Sequence, residues 1–187
     1  GWFLLGLVWV YALLAAPLLV CTIDHLTPAT ESQRGGRQIA PMLRLMSSDL
    51  VLDEPDDFDI DDLPALARLV HWAGLLGSRI LLSSATLPPA LVQGLFAAYL
   101  DGRRWFQRNR GEHPGQAPEV CCIWVDEFDQ VTQDCRDGEV FAIRQLEFAQ
   151  RRHARLTGEA VRRRAELVPL ALDGKPYDDL RPSLAIT

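Results

Sequence analysis

Three short apolar runs, residues 18–21, 50–52 and 80–82, each stop abruptly at polar groups: Thr22-Ile23-Asp24-His25, Asp53-Glu54 and Ser83-Ser84-Ala85-Thr86 in turn. Runs this short, without alternation, predict strands buried on both faces, the pattern of a parallel sheet. Between the second and third, Leu66, Leu69, Val70, Ala73 and Leu76 fall at helical spacing within residues 63–76, and Gly77 supplies a stop. A βαβ unit is therefore predicted. After Thr86, Pro88-Pro89 suits the first turn of a helix whose buried stripe is Leu91, Val92, Leu95, Phe96 and Tyr99, ending at Asp101-Gly102. Residues 103–118, polar and rich in Gly, Pro and Arg, read as a surface loop before a fourth strand over residues 120–125.

From Glu139 to about Leu167 the pattern turns helical and Arg-rich, with Arg144, Arg151, Arg152, Arg155 and Arg162 to Arg164 interleaved with Phe141, Leu146, Phe148 and Leu156. Gly158 divides it. A basic helical segment can face nucleic acid or serve as a solvated connector; without aromatic residues on the basic face, the connector is favoured. Residues 168–187 carry Pro169, Pro176 and Pro182 and no clear period. They read as a truncated linker.

The chain has 187 residues, 48% of them hydrophobic and 24% charged, which excludes wholesale disorder and allows one domain with a sizeable core. Of the net charge of −6, eight acids and no bases lie between Asp49 and Asp62, so the acidity is one local cluster. Lys175 is the only lysine; the Arg bias by itself is compositional. Cys21, Cys121, Cys122 and Cys135 lack the C-x-x-C spacing of a zinc site and the density of a secreted disulfide scaffold, so a reducing cytoplasm is expected. Cys121 and Cys122 lie in an apolar run and would point to opposite faces of a strand, so buried thiols are expected rather than a redox pair.

No charge occurs in residues 1–23, a length close to that of a membrane-spanning helix of ~20 residues. Pro17 interrupts the run, no basic flank precedes it and Asp24 follows, so no membrane association is expected. The chain starts at Gly1 and ends without a stop signal for a last element, as if cut at both ends.

Ligands of open parallel sheets bind beyond the carboxyl ends of the strands, where loops and helix amino-termini converge. All three polar clusters are predicted there. An acidic pair following a buried strand suits a hydrated Mg²⁺, with Asp53 holding the metal through water while Glu54 orients or deprotonates an attacking water. For Asp57, Asp59, Asp61 and Asp62 a solvated loop is preferred, with Asp61 or Asp62 capping the helix near Pro64. An EF-hand fits poorly, for want of a central Gly and a Glu at the twelfth position. Ser84 and Thr86 could hydrogen-bond to Asp56 or its loop; considered alone, Thr86 reads more simply as a helix cap. Thr22 and Asp24 could hold a loop or touch a strand backbone. The histidines at 25, 71, 113 and 153 are scattered, and no G-x-S-x-G elbow occurs.

Taken together, Asp53-Glu54-Pro55-Asp56 and, after 27 intervening residues, Ser84-Ala85-Thr86 resemble motifs II and III of the DExD/H-box helicases of superfamily 2. With Cys21-Thr22-Ile23-Asp24-His25-Leu26, Arg34-Gly35-Gly36-Arg37 and Leu43-Arg44-Leu45, the wider text resembles the helicase part of the CRISPR-associated helicase-nucleases of type I systems, subtype I-F in particular. The resemblance spans about Leu14 to Arg104 and, more loosely, continues through Arg164; Gly1 to Ala12 lies outside it.

The resemblance implies an α/β fold: a partial RecA-like parallel sheet with flanking helices, followed by a helical connector. It divides the chain into an unassigned apolar end (1–13), the carboxyl-terminal half of a first RecA-like lobe (14–137), an Arg-rich connector (138–167) and the linker (168–187). It further implies an enzyme, recruited by an RNA-guided CRISPR surveillance complex, that translocates on single-stranded DNA with ATP and Mg²⁺ and degrades it with an HD nuclease domain. Position by position, Asp53 would hold Mg²⁺ and Glu54 would activate water. Asp56 would link this loop to Ser84 and Thr86, which couple hydrolysis to strand movement, and Thr22 and Asp24 match the family's single-strand-contact motif.

No G-x-x-x-x-G-K-[ST] occurs, and neither a second lobe nor the HD nuclease is recognised, so this polypeptide alone is expected to be inactive. A competing expectation is a non-catalytic remnant whose acidic loop and basic helices bind protein or RNA; another is a membrane-anchored α/β protein.

Overall fold

The computed structural model describes residues 8, 11, 14–31 and 36–159. The predicted βαβ unit forms at its centre. β1 (Leu50–Asp53) and β2 (Ile80–Ser83) pair in parallel, in the register Leu50↔Ile80 through Asp53↔Ser83. α2 (Leu63–Leu76) crosses between them, after α1 (Ile39–Ser47). Pro64 occupies its first turn, where a missing N–H costs nothing, and Gly77 ends it at φ 92, its N–H bonding back to the Ala73 and Gly74 carbonyls. Leu66, Leu69, Val70 and Ala73 are fully buried against Leu45, Leu50, Leu52 and Leu95. Each large aliphatic side chain so buried contributes roughly 1.5–3 kcal/mol over its exposed state.

The sheet is not buried on both faces as the apolar runs suggest. Leu50 and Leu52 point into the core, whereas Val51 and its register partner Leu81 remain 57% and 59% exposed. Nor do residues 18–21 form the predicted strand. Leu18 and Val20 are 78% and 88% exposed, and the sheet order β1-β2 leaves that segment without a paired neighbour among the described residues. An apolar run is only a potential strand; a ladder partner makes it one. The chain instead turns through two short 3₁₀ helices, Ile23–His25 and Thr27–Thr30, which bring Ile23, Leu26 and Ala29 onto the core.

α3 (Pro89–Arg110) starts at Pro89 as expected but runs past Asp101-Gly102 to Arg110, absorbing half of the predicted loop. Gly102 does not stop the helix because its missing side chain is used for packing: a Cβ there would collide with the His71 carbonyl and lie 2.7 Å from the Leu75 nitrogen. Gly74 faces the same seam, where a Cβ would lie 2.5 Å from the Tyr99 carbonyl. The two glycines let α2 and α3 approach closely. His71 Nδ1 and Asp101 Oδ2 pair across the two helices at 3.3 Å.

The fourth predicted strand, β3 (Val120–Val125), pairs antiparallel with β4 (Gln130–Cys135), which the sequence pattern missed, in a hairpin separate from the parallel pair. Cys121 and Cys122 lie on opposite faces as predicted, but only Cys122 is partly buried, because the two-stranded hairpin leaves its other face and Cys121 in solvent; burial pushes the Cys122 thiol well up. α4 (Gly138–Gly158) opens on Asp137, whose Oδ1 accepts from the Val140 N–H at 2.8 Å. Phe141 stacks on Phe96 with centroids 4.1 Å apart and leans on Trp124 at 5.5 Å, so hairpin, α3 and α4 share a second core. The expected helix boundary at Gly158 is observed; its continuation to Leu167 and the linker lie outside the described residues. Most of the apolar end at 1–13 is likewise outside them. Among the described residues no helix is long and apolar enough to cross a membrane.

Candidate functional site: a polar rim at the carboxyl ends of the parallel strands

Because β1 and β2 run in parallel, their carboxyl ends lie side by side, and the loops that follow must emerge at one edge. Asp53 and Ser83 are register partners, and the Glu54 N–H extends the ladder by one more bond, 2.7 Å to the Ser83 carbonyl. The amino-terminal edge is held by Asp49, whose carboxylate accepts from the Arg79 backbone N–H and from its guanidinium at 2.7–3.1 Å. The guanidinium of Arg79 holds the Asp49 carboxyl below its ordinary value.

Immediately after its ladder bond the chain turns sharply. Glu54 adopts the left-handed conformation, φ 48 and ψ 53, alone among the non-glycine residues described. For an L-residue this costs roughly 1–2 kcal/mol, and such conformations persist where surrounding structure imposes them, often at functional sites. Buried Pro55 follows in a 3₁₀ turn, Pro55–Asp57. The turn redirects the next carboxylate, Asp56, toward the loop after β2.

That loop meets it. Ser84 Oγ donates to Glu54 Oε2 at 2.7 Å, and Thr86 Oγ1 donates to Asp56 Oδ2 at 2.6 Å. Ser84 Oγ also accepts from the Thr86 N–H at 3.1 Å and lies 3.1 Å from the Thr86 carbonyl. The Ser84 and Thr86 hydroxyls hold the Asp56 carboxyl below its ordinary value. Asp56 Oδ1 is shielded from solvent and has no hydrogen-bond partner among the described residues. One hydroxyl proton on Ser84 therefore faces more acceptors than it can serve, which makes its orientation responsive to what else reaches the rim.

Asp53, Glu54, Asp56, Ser84 and Thr86 are thus gathered at one edge. Asp53 is exposed and its carboxylate makes no hydrogen bond or ion pair among the described residues. The simpler cap role considered for Thr86 is not what the side chain does: α3 begins after Pro88 with no side-chain cap, and the Thr86 hydroxyl is committed to Asp56. Asp62 likewise precedes α2 without a side-chain cap bond. Thr22 and Asp24 are exposed on the first 3₁₀ turn; the Thr22 carbonyl accepts from the His25 N–H at 3.1 Å, and the Asp24 carbonyl from Thr27 Oγ1 at 3.5 Å. No hydrogen bond or ion pair joins them to the rim among the described residues.

No group of three or more His, Cys, Asp or Glu side chains converges as a metal cage among the described residues. This donor set fits Mg²⁺ held in the usual way for phosphate-bound magnesium, by one or two carboxylates with water and phosphate oxygens completing the shell. Asp53 is the carboxylate available for that.

Two arginines of the basic helix bind the hairpin and a third pairs within the helix itself. Arg152 bridges both Glu127 carboxylate oxygens at 3.0 and 3.2 Å, Arg155 donates to the Phe128 carbonyl at 3.1 Å, and Arg144 pairs with Glu147 at 3.0 Å. The signal for β4 was present as alternation of Val131, Gln133 and Cys135 after an acidic turn, but half-buried polar partners weakened it.

A parallel βαβ unit with its polar loops at the carboxyl edge defines a mixed α/β protein, consistent with part of a RecA-like domain. No family model matches the sequence. Two curated proteins, each named CRISPR-associated nuclease/helicase Cas3 subtype I-F/YPEST, align with nearly all of it. That of Pseudomonas aeruginosa (strain UCBPP-PA14) is 60% identical over 174 residues, 92% of this chain and 16% of the relative. That of Pectobacterium atrosepticum is 54% identical over 176 residues, 94% of this chain and 16% of the relative. The resemblance to the CRISPR-associated helicase-nucleases of subtype I-F, first carried by a handful of motifs, therefore holds along nearly the whole chain, which spans 16% of the length of these relatives.

Proposed function

We propose that this chain is the carboxyl-terminal half of the first RecA-like lobe of an ATP-dependent single-stranded DNA translocase that works with a nuclease in CRISPR interference. On that proposal residues 14–137 are the half-lobe, 138–167 the connector and 168–187 a linker. The supporting observation is the pair of hydroxyl-to-carboxylate bonds, Ser84 to Glu54 and Thr86 to Asp56, bridging the ends of two parallel strands.

Asp53 would hold Mg²⁺ through water, and the metal would supply charge neutralisation to the terminal phosphates of ATP. Glu54, one residue on and held in its left-handed turn, accepts a proton from the attacking water and orients it. Its bond from Ser84 gives that proton a consequence: once Glu54 is protonated it becomes a weaker acceptor, and the Ser84 hydroxyl, which already lowers the Asp56 carboxyl, can turn wholly toward it. Asp56 and Thr86 then carry the change into the loop that begins α3. Thr22 and Asp24 would contact the single strand. The surveillance complex, the second lobe and the HD nuclease are partners of the whole protein on this proposal.

The test is a segment exchange. This chain replaces the aligned segment of the Pseudomonas aeruginosa relative, and ATP hydrolysis stimulated by single-stranded DNA is measured. The exchange should retain hydrolysis, and Glu54→Gln in it should abolish hydrolysis and strand movement together. Hydrolysis undiminished by Glu54→Gln would refute the assignment. The 187-residue chain alone, without a phosphate-loop motif, should neither hydrolyse ATP nor cut DNA.

A further inference from the structure

The extension of α3 beyond Gly102 carries a surface that the rim does not explain. Its last two turns, residues 103–110, contain Arg103, Arg104, Arg108 and Arg110 and no acid. Five arginines elsewhere pair with carboxylates: Arg79 with Asp49, Arg136 with Asp137, Arg144 with Glu147, Arg152 with Glu127 and Arg155 with Asp129. None of the four on α3 has a carboxylate partner among the described residues. Two have aromatic partners instead: Arg103 lies 4.3 Å over the Phe106 ring and Arg108 5.6 Å from the Trp105 ring.

At 100° per residue Phe106 and Gly102 turn toward α2, where Phe106 packs against Gly77. Arg104 and Arg108 fall on the opposite, solvent face, with Trp105 on the flank beside Arg108. Trp105 is 47% exposed there, and Arg104 and Arg108 are exposed beside it. Cations at a helix carboxyl terminus complement its dipole, which accounts for Arg108 and Arg110 in the final turn. It accounts neither for Arg104, a turn earlier, nor for an indole kept in solvent.

Unpaired guanidinium groups flanking an exposed indole are complementary to a chain that alternates phosphate charge with flat bases. We propose that the solvent face of α3 formed by Arg104, Trp105 and Arg108 binds single-stranded nucleic acid, the arginines taking phosphates and the indole stacking on a base. The site is carried by a different element from Thr22 and Asp24, and it needs neither nucleotide nor metal. It therefore stands or falls separately from the role of Glu54.

The probe is a fluorescein-labelled oligothymidine, titrated with the 187-residue chain and followed by anisotropy across a salt series, without nucleotide. The unchanged chain should bind. The double substitution Arg104→Ala with Arg108→Ala should weaken binding and reduce the slope of log affinity against log salt by about 1.4, the loss of two phosphate contacts on a single strand. Trp105→Ala should weaken binding by roughly 5- to 150-fold, the value of one stacked base, and leave the salt slope unchanged. All three side chains are exposed, and thermal melting by circular dichroism checks that each variant folds as the parent does. An unchanged chain that fails to bind, or variants that bind as it does, would overturn the proposal; binding of a polyglutamate peptide in preference to the oligonucleotide would assign the surface to an acidic protein instead.

Discussion

Thr86 Oγ1 donates a 2.6 Å hydrogen bond to Asp56 Oδ2 across 30 residues of sequence, joining the loop after one parallel strand to the loop after its neighbour. With Ser84 it holds the Asp56 carboxyl below its ordinary value. A carboxylate depressed in the folded state contributes stability that is fully present above its unfolded value, about 3.9, and is lost as pH falls through the folded value. Thr86→Val removes the donor while keeping the shape. Carbon-detected NMR titration of Asp56 should then show its midpoint rise toward the ordinary carboxylate value, and the linked loss of stability relative to the parent should be full above pH ~5 and shrink to nothing as pH falls through the parent's Asp56 midpoint. An unmoved midpoint would mean that Thr86 does not bond to Asp56 in solution.

Glu54 occupies a left-handed conformation that glycine adopts without steric cost. Glu54→Gly should therefore leave the thermal midpoint of the chain unchanged or raise it by a few degrees, although it removes the bond from Ser84. The same substitution in the segment exchange should eliminate hydrolysis. A variant less stable than the parent by more than ~1 kcal/mol in urea unfolding would show that the turn carries no strain.

Gly102 lies where α3 meets the His71 carbonyl and the Leu75 nitrogen of α2, with no room for a Cβ. Gly102→Ala raises intrinsic helix propensity by about 1 kcal/mol, yet it should destabilise the chain by about 1–3 kcal/mol net, because two helix backbones must separate to admit the methyl group. Gly94→Ala in the same helix, where a Cβ would meet nothing, should stabilise. Urea midpoints of the two variants moving in the same direction would contradict the close helix seam.

The strand–helix–strand order, Gly77 as the end of α2, Pro89 as the start of α3 and the meeting of Asp53 through Asp56 with Ser84 and Thr86 were all legible in the sequence. These follow from local rules: period, cap and the carboxyl-edge geometry that parallel pairing imposes. Asp101-Gly102, by contrast, looked like a stop, since nothing local reveals that a neighbouring helix needs the space a glycine leaves. The Arg-rich run beyond it was read as loop for the same reason.

What the sequence determined by itself was the order of elements, the edge at which chemistry gathers and, through its motifs, the likeness to the subtype I-F helicase-nucleases. Residues 18–21 show the boundary of that knowledge: apolar enough for a strand, they have no ladder partner among the described residues and leave Leu18 and Val20 in solvent. Tertiary structure alone decided which hydroxyl meets which carboxylate, the backward turn at Glu54, the pairing of β3 with β4 and the length of α3. Period and propensity act within a few residues, while the hydroxyl–carboxylate pairs join residues 30 apart, the length of α3 depends on a neighbour's shape, and β4 was hidden by its own weak alternation rather than by distance.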